Sequence, residues 1–429
     1  MNNNRFVGFL LRLSIVVIAF TTSCQKESKE TTELKREFPK SFPISIQNTI
    51  NLERRDSPVS MDVGAIINTY PDFNAEAFVV HCDGTEMASQ AIDLNGTGQK
   101  NYIIFMSDFL PHEKKELVLH YAATGKRRRE YSKRTQAEIS HKVGGRFVDK
   151  EYEGGEFRNV QFVRVPPEHT DHSTYFRYEG PGWESDRVGY RFYLDWRNAI
   201  DIFGKKTSDM VLHTVGLDGF DSYHEMADWG MDIFKVGESL GIGSVGMWQD
   251  GKVHMVSETD SITCQIIANG PVHSQIETEY YGWNVGSDRY DLNSNLSISA
   301  GSRLTKHIIQ ISENPKNVCT GLAKHTQCDV LYSENKDDEG WGYFGLYGLQ
   351  SLANDKLGTA ILFRKEDFLD LREDSLSHVL LLRPRNGCVT YYFLAAWAQE
   401  PDGIRTKEEF HRYLKETVMQ LNNPIAVSY

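Results

Sequence analysis

Apolar residues alternate with polar ones, or gather in short β-branched and aromatic runs, at Ala77-Phe-Val-Val80, Tyr102-Ile-Ile-Phe-Met106, Leu117-Val-Leu-His-Tyr121, Val160-Gln-Phe-Val-Arg-Val165 and Val188-Gly-Tyr-Arg-Phe-Tyr-Leu194. A two-residue period puts successive side chains on opposite faces of an extended chain, so each run predicts a strand. Asp250-Gly251 and Asn386-Gly387 carry the residues that favour two-residue turns, and each predicts a hairpin between the apolar runs that flank it. Helical periodicity is scarce. Thr406-Lys-Glu-Glu409 forms a capping box ahead of Phe410, Leu414, Val418 and Leu421 on one face, and a shorter helix is expected over Met231–Leu240. The pattern predicts a mainly β protein. Pro166-Pro167 is the expected boundary between an N-terminal β-sandwich (42–165) and a larger antiparallel β-supersandwich (166–429) ending in a short helix.

The first residues change the picture only at the N-terminus. Arg5 and Arg12, then an apolar run from Leu13 to Phe20, then Thr-Thr-Ser-Cys24 read as an export signal in which Cys24 becomes the lipidated first residue. The expected protein is a cell-envelope lipoprotein of a Gram-negative bacterium: signal 1–24, polar tether 25–41, and contact with the membrane through the lipid anchor alone. The remaining cysteines are odd in number and hold no C-x-x-C pair, which excludes a zinc ribbon. Cys319 and Cys328 are close enough in sequence to bridge, and the sequence leaves that open.

The 429 residues, 40% hydrophobic and 25% charged, exclude a disordered or multi-pass membrane chain, and the net charge of −12 argues against nucleic acid as a partner. The basic run Lys126-Arg127-Arg128-Arg129 follows Gly125 and reads as a solvated loop. Gly241-Ile-Gly243-Ser-Val-Gly246 has dinucleotide-fingerprint spacing but lacks the strand-then-helix order that brings amides to a pyrophosphate, so no nucleotide is expected. Asp93 to Asn101 imitates a calcium loop with one carboxylate, and a turn held by side-chain hydrogen bonds fits it better.

Polar chemistry is densest in two stretches. His169 to Arg197 contains His172, Trp183, Arg187 and Arg191, and Asp218 to Gly230 contains Tyr223, His224 and Trp229. Tyr281, Trp283, Arg303, His325 and Trp341 extend the theme. Aromatic rings stack on sugar faces and guanidiniums pair with carboxylates, so these residue types suit a cleft for an acidic glycan. On strand periodicity, Val188, Tyr190, Phe192 and Leu194 share one face, and Gly189, Arg191, Tyr193 and Asp195 share the other.

The stretch Tyr178-Glu-Gly-Pro-Gly-Trp-Glu-Ser-Asp-Arg-Val-Gly-Tyr-Arg-Phe-Tyr-Leu-Asp-Trp-Arg-Asn-Ala-Ile-Asp-Ile-Phe-Gly204, with Asp228-Trp-Gly-Met-Asp-Ile-Phe-Lys235 and Ala300-Gly-Ser-Arg303, resembles the family designated domain of unknown function 4861. The resemblance covers nearly the whole mature chain. It implies a galactose-mutarotase- or polysaccharide-lyase-like β-supersandwich, and similarity to dehydratases that act on the terminal uronic acid of ulvan oligosaccharides. The roles drawn from the residues are a carboxylate clamp at Arg187 or Arg191, a base at His172 or His224, an acid at Tyr223 or Tyr281, and binding surface at Trp183, Trp229, Trp283, Trp341 and Arg303, with His325 a further catalytic candidate. No cofactor is required. A divalent metal is allowed, though nothing in the residues supports one. A polysaccharide lyase, a sugar epimerase or mutarotase, and a non-catalytic glycan-binding lipoprotein stand as alternatives to the dehydratase.

Overall fold

The computed structural model describes residues 29–94, 98–219, 221–333 and 339–429. The expected signal segment 1–24, with Cys24, and the first residues of the expected tether lie outside them. Lys29–Glu37, within the expected tether, is a helix, and strand pairing begins at Lys40. Among the described residues no helix is long and apolar enough to cross a membrane.

The N-terminal β-sandwich packs a five-stranded sheet against a three-stranded one. The five strands lie in the order Ala426–Ser428, Lys40–Gln47, Lys114–Tyr121, Phe78–Cys82 and Thr85–Met87, and the three in the order Arg54–Asp62, Tyr102–Phe109 and Ser89–Ile92. Alternate residues of these strands, among them Phe42, Ile44, Ile46, Val59, Met61, Ile103, Phe105, Leu117 and Leu119, fill one core. The edge strand of the first sheet is Ala426–Ser428, far along the chain from its neighbour, with Ser45 opposite Ser428.

The larger body shares one core among three antiparallel sheets. A nine-stranded sheet runs from Phe162–Arg164 to Cys328–Tyr332. A six-stranded sheet holds Glu156–Val160, Thr135–Val143, Gly182–Ser185, Val188–Phe192, Ile200–Lys205 and Gly230–Asp232 in that order. A five-stranded sheet is centred on Val318–Ala323. The six- and nine-stranded sheets are stitched by buried aromatics: Tyr190 donates to the Arg303 carbonyl at 2.7 Å and accepts from the Ala395 amide at 2.9 Å. The helix Lys407–Asn422, capped by Thr406 and Glu409 as its sequence predicts, packs Phe410 and Leu414 against Tyr347, Ala360 and Leu394 of the nine-stranded sheet. Gly358 makes room for it, since a Cβ there would lie 2.6 Å from the Phe410 ring.

Three local expectations are corrected. Hydrogen bonding runs across Pro166-Pro167: strands on both sides of it share the six-stranded sheet, and Phe162–Arg164 already edges the nine-stranded one. The strand expected over Val160–Val165 is broken at Gln161, whose carbonyl takes the Ile266 amide, and its halves join different sheets. Met231–Leu240 is not a helix. Its apolar residues Met231, Ile233, Phe234 and Val236 are all buried, first on the strand Gly230–Asp232 and then in a loop that turns at Gly237 and Gly241, both at positive φ. The fingerprint glycines serve packing: a Cβ on Gly241 would lie 2.3 Å from the Ile200 carbonyl and one on Gly243 2.5 Å from Phe393.

The turns behave differently from each other. Asp250 and Gly251 both have positive φ and join the paired strands Gly246–Gln249 and Lys252–Met255 as expected. Asn386 and Gly387 also have positive φ, yet Ser377–Leu382 and Cys388–Trp397 lie in different sheets, so this turn passes the chain between layers rather than closing a hairpin. At the imitation calcium loop, Asp93 accepts from the Gly98 amide and Asn101 from the Leu94 amide, as a turn requires; residues 95–97 are outside the described set. Cys319 and Cys328 are free thiols.

Candidate functional site

The site grows from the central strands of the six-stranded sheet. Arg191, on Val188–Phe192, stands opposite Asp201 on Ile200–Lys205 and opposite Gly182 on the other side. The alternation predicted for this strand holds, but both faces are covered, and Arg191 is 3% exposed. Its guanidinium donates to Asp201 at 2.9 Å, to Asp232 through a short contact, to Glu179 at 3.3 Å and to the Tyr223 hydroxyl at 2.9 Å. The Tyr193 hydroxyl also donates to Asp201. Arg197 binds Glu179 at 2.7 Å and Asp171 at 2.9 Å, and clasps Asp195. Two guanidiniums therefore serve five carboxylates, Asp171, Glu179, Asp195, Asp201 and Asp232.

Two partly exposed imidazoles stand at the margins of this network, that of His224 packed against the Tyr223 ring at 4.7 Å. His224 is 43% exposed and its Nε2 lies 3.4 Å from Asp232; His172 is 60% exposed and its Nδ1 lies 3.0 Å from Asp171. Asp171 and Glu179 tie His172 to the arginines, and Asp232 ties His224 to Arg191.

The backbone that delivers these groups is unusual. His172, Thr174, Tyr178 and Glu179 all have positive φ, at 57°, 58°, 43° and 70°. Non-glycine residues in this region cost roughly 1–3 kcal/mol each and gather where surrounding structure over-determines them. The segment is held by Arg177 and Tyr178, both bound to buried Glu138, and by Gly180, where a Cβ would fall 2.0 Å from the Phe192 carbonyl. The loop carrying Tyr223 and His224 is anchored at its start: Glu184 accepts the Val211 and Leu212 amides, both at 2.8 Å, while Lys205, fully buried, donates to Glu184 at 2.6 Å.

The charge balance appears in the ionisation of the carboxyls. Burial and the neighbouring Asp232 push Asp201 up to about 7. Glu179 is also driven up by burial, but Arg191 and Arg197 outweigh this and hold it down to about 2. Burial and Glu179 raise Asp171. Burial raises the Tyr223 phenol, which keeps its proton throughout the neutral range. Because the folded state holds the Asp201 proton above the unfolded pKa, its stabilising contribution is complete below the usual carboxylate pKa of 3.8 and is lost as pH rises toward about 7. Asp201→Asn is expected to flatten the fall in stability between about pH 4 and 7, read from urea midpoints across that range.

Of the residues singled out from the sequence, His172, Arg191, Tyr223 and His224 meet in this network, and Trp229 is near, half-buried against Phe203 at 6.0 Å. The others do not. Trp183 and Trp283 are core residues whose indoles donate to Thr305 and to the Met255 carbonyl, both at 2.9 Å, and Trp341 is buried under Arg364. Arg303 is spent on Glu400 at 2.8 Å, and Arg187 lies beside Asp402 at 3.4 Å. Tyr281 is exposed on the nine-stranded sheet, donating to Glu279. His325 lines a separate cavity of about 390 Å³ with Lys235, Lys324 and Gln350. Arg191 itself is saturated by carboxylates and is not a free clamp. Tyr223 directs its hydroxyl inward to Arg191, which makes it a positioning residue. Glu179, Arg197, Asp201 and Asp232 were passed over; the signal for the first three was the charge density from His169 to Asp201.

For a metal, Asp171, His172 and Glu179 offer ligand atoms within 4.8 Å of one another. The Arg197 guanidinium already lies against both carboxylates, so a positive charge is in place there without an ion.

The sequence match that accompanies this architecture spans residues 46–427. The chain belongs to the family domain of unknown function 4861 (DUF4861). No curated protein matches it in sequence. Among solved structures it is similar to an alpha-mannosidase from Enterococcus faecalis, with TM-score 0.44 and 9% identity over 93% of this chain and 48% of that one. It is also similar to a glycosyl hydrolase family 38 protein from Enterococcus faecalis, with TM-score 0.43 and 9% identity over 93% of this chain and 49% of that one. The chain spans about half the length of those proteins.

Proposed function

We propose that this protein is a carbohydrate-active lyase that removes water across C4 and C5 of a terminal uronic acid in polysaccharide-derived oligosaccharides. The observation that carries the reading is the pair of partly exposed imidazoles, His224 and His172, each backed by a carboxylate of one connected network. A carboxylate behind an imidazole orients the ring and stabilises the positive charge it gains on taking a proton. In this reading neutral His224 takes the C5 proton, the C5–H electrons form the C4=C5 double bond, and the C4–O bond breaks. His172, as imidazolium, gives its proton to the departing hydroxyl and sets a positive charge near the substrate carboxylate, a task that saturated Arg191 is not free to perform. No electrons leave the substrate and no redox partner is needed. Burial of Trp183, Trp283 and Trp341 removes three quarters of the aromatic platform on which a purely glycan-binding role would rest.

The carboxyls of Asp171 and Glu179, pushed in opposite directions, favour a second reading, acid–base glycoside hydrolysis. One assay separates the readings. With oligosaccharides ending in a saturated uronate, dehydration yields a conjugated unsaturated product with ultraviolet absorbance and a mass lower by one water; lyase action yields unsaturation with chain cleavage; hydrolysis yields cleavage without unsaturation. The first outcome is expected, and chain shortening in the absence of water loss would sink the dehydratase.

A further inference from the structure

Where the N-terminal sandwich meets the larger body, a cleft of about 670 Å³ opens between the edge strand Ser89–Ile92 and the turn at Gly270-Pro271. The basic run lies along it. Lys126, Arg127, Arg128 and Arg129 line the cleft together with Lys100, against a single carboxylate among the lining residues, Glu76. The run is the solvated loop that the sequence predicts, and it also borders this cleft. The Arg127 amide bonds the Glu76 carbonyl at 2.9 Å, and Arg129 is braced by Glu37 at 2.9 Å and Glu86 at 3.3 Å. Among the described residues, Lys100 and Arg128 have no ion-pair partner. Lys126 is paired with Glu76 at 3.7 Å and Arg129 with Glu37 and Glu86, so the excess positive charge of the cleft rests on Lys100, Arg127 and Arg128, which repel one another unless an anion is present. The cleft shares no residue with the His172–His224 network.

We propose that this cleft is a non-catalytic subsite for an anionic oligosaccharide, held through carboxylate or sulfate groups; the choice of a sugar rests on the uronate reading above. The shape supports it, since an anionic membrane would meet a flat or convex basic face rather than a recess. Glu76, the carboxylate in the cleft wall, can accept a hydrogen bond from a sugar hydroxyl beside the cations. A chain gripped here would be retained while its end is processed elsewhere.

The test uses the full mature chain and a Lys126→Gln/Arg127→Gln/Arg128→Gln variant, whose substituted side chains are all exposed; circular dichroism confirms that it folds. Titration probes are oligogalacturonate for the carboxylate arm, dextran sulfate for the sulfate arm, neutral cellohexaose, and phosphatidylserine vesicles. The parent is expected to bind one or both anionic glycans but not cellohexaose, more weakly as salt rises, and the variant to lose about tenfold or more in affinity. Turnover of a uronate disaccharide too short to span both sites is expected to be unchanged in the variant. His224→Ala should bind like the parent, so a parent that shows no elimination but binds through these cations retains the subsite and removes the catalytic reading. Equal binding by the triple variant, or binding to vesicles and to neither glycan, overturns the proposal.

Discussion

Replacing His224 by alanine is expected to lower turnover of uronate oligosaccharides by roughly 10²–10⁴ while leaving their affinity nearly intact, because a positioned acid or base acts mainly in the transition state. The substitution is structurally mild. The imidazole is 43% exposed, and Asp232 keeps its contact with Arg191 when the ring is gone. A folded His224→Ala protein that forms unsaturated product at the parent rate would remove this residue from the mechanism and leave His172 as the base. His172→Ala tests the complementary role: if it donates to the leaving hydroxyl, the same fall in turnover should shrink for substrates with a better leaving group at C4, a dependence that a merely structural histidine would not produce.

Arg191→Ala is expected to act on folding before it acts on chemistry. Removing one partner of a buried ion pair strands the other, at about 3–5 kcal/mol. Here Asp201, Asp232 and Glu179 would all lose the same guanidinium, so the upper part of that range applies. Urea denaturation should show a lower midpoint with little change in slope. Arg187→Ala, which removes an ion pair with Asp402, a side chain 89% exposed, and a longer-range attraction to Asp56 and Glu400, should cost about 1 kcal/mol. An Arg191→Ala protein as stable as the parent, with only its substrate affinity reduced, would restore Arg191 as a substrate clamp.

The strand pattern and the C-terminal helix are legible because local rules decide them: alternation at Lys114–Tyr121 and Tyr102–Phe109, and a capping box at Thr406. The site is legible in outline, since His172, Arg191, Tyr223 and His224 all lie in the two polar stretches that stand out in the chain. What escapes is which groups are free. Alternation at Val188–Phe192 says that Arg191 and Tyr193 share a face, but not that Asp232 and Tyr223, distant in sequence, return to cover it. Tryptophan serves cores and sugar platforms through the same apolar ring, so residue type alone does not tell that Trp183 donates inward to Thr305. Pro166-Pro167 punctuates the backbone locally, whereas sheet membership is set by register over long separations.

The pairing of Ser45, Ile46 and Gln47 with Ser428, Val427 and Ala426 has a consequence for biogenesis. During synthesis residues 40–121 emerge with one margin of their sheet bare, and that margin stays open until residues 426–428 have been made. An unpaired strand edge is a template for pairing with other chains, so the nascent protein is most exposed to intermolecular association in the interval before Ala426–Ser428 docks. Closure by that strand couples the N-terminal sandwich to the larger body in one late step.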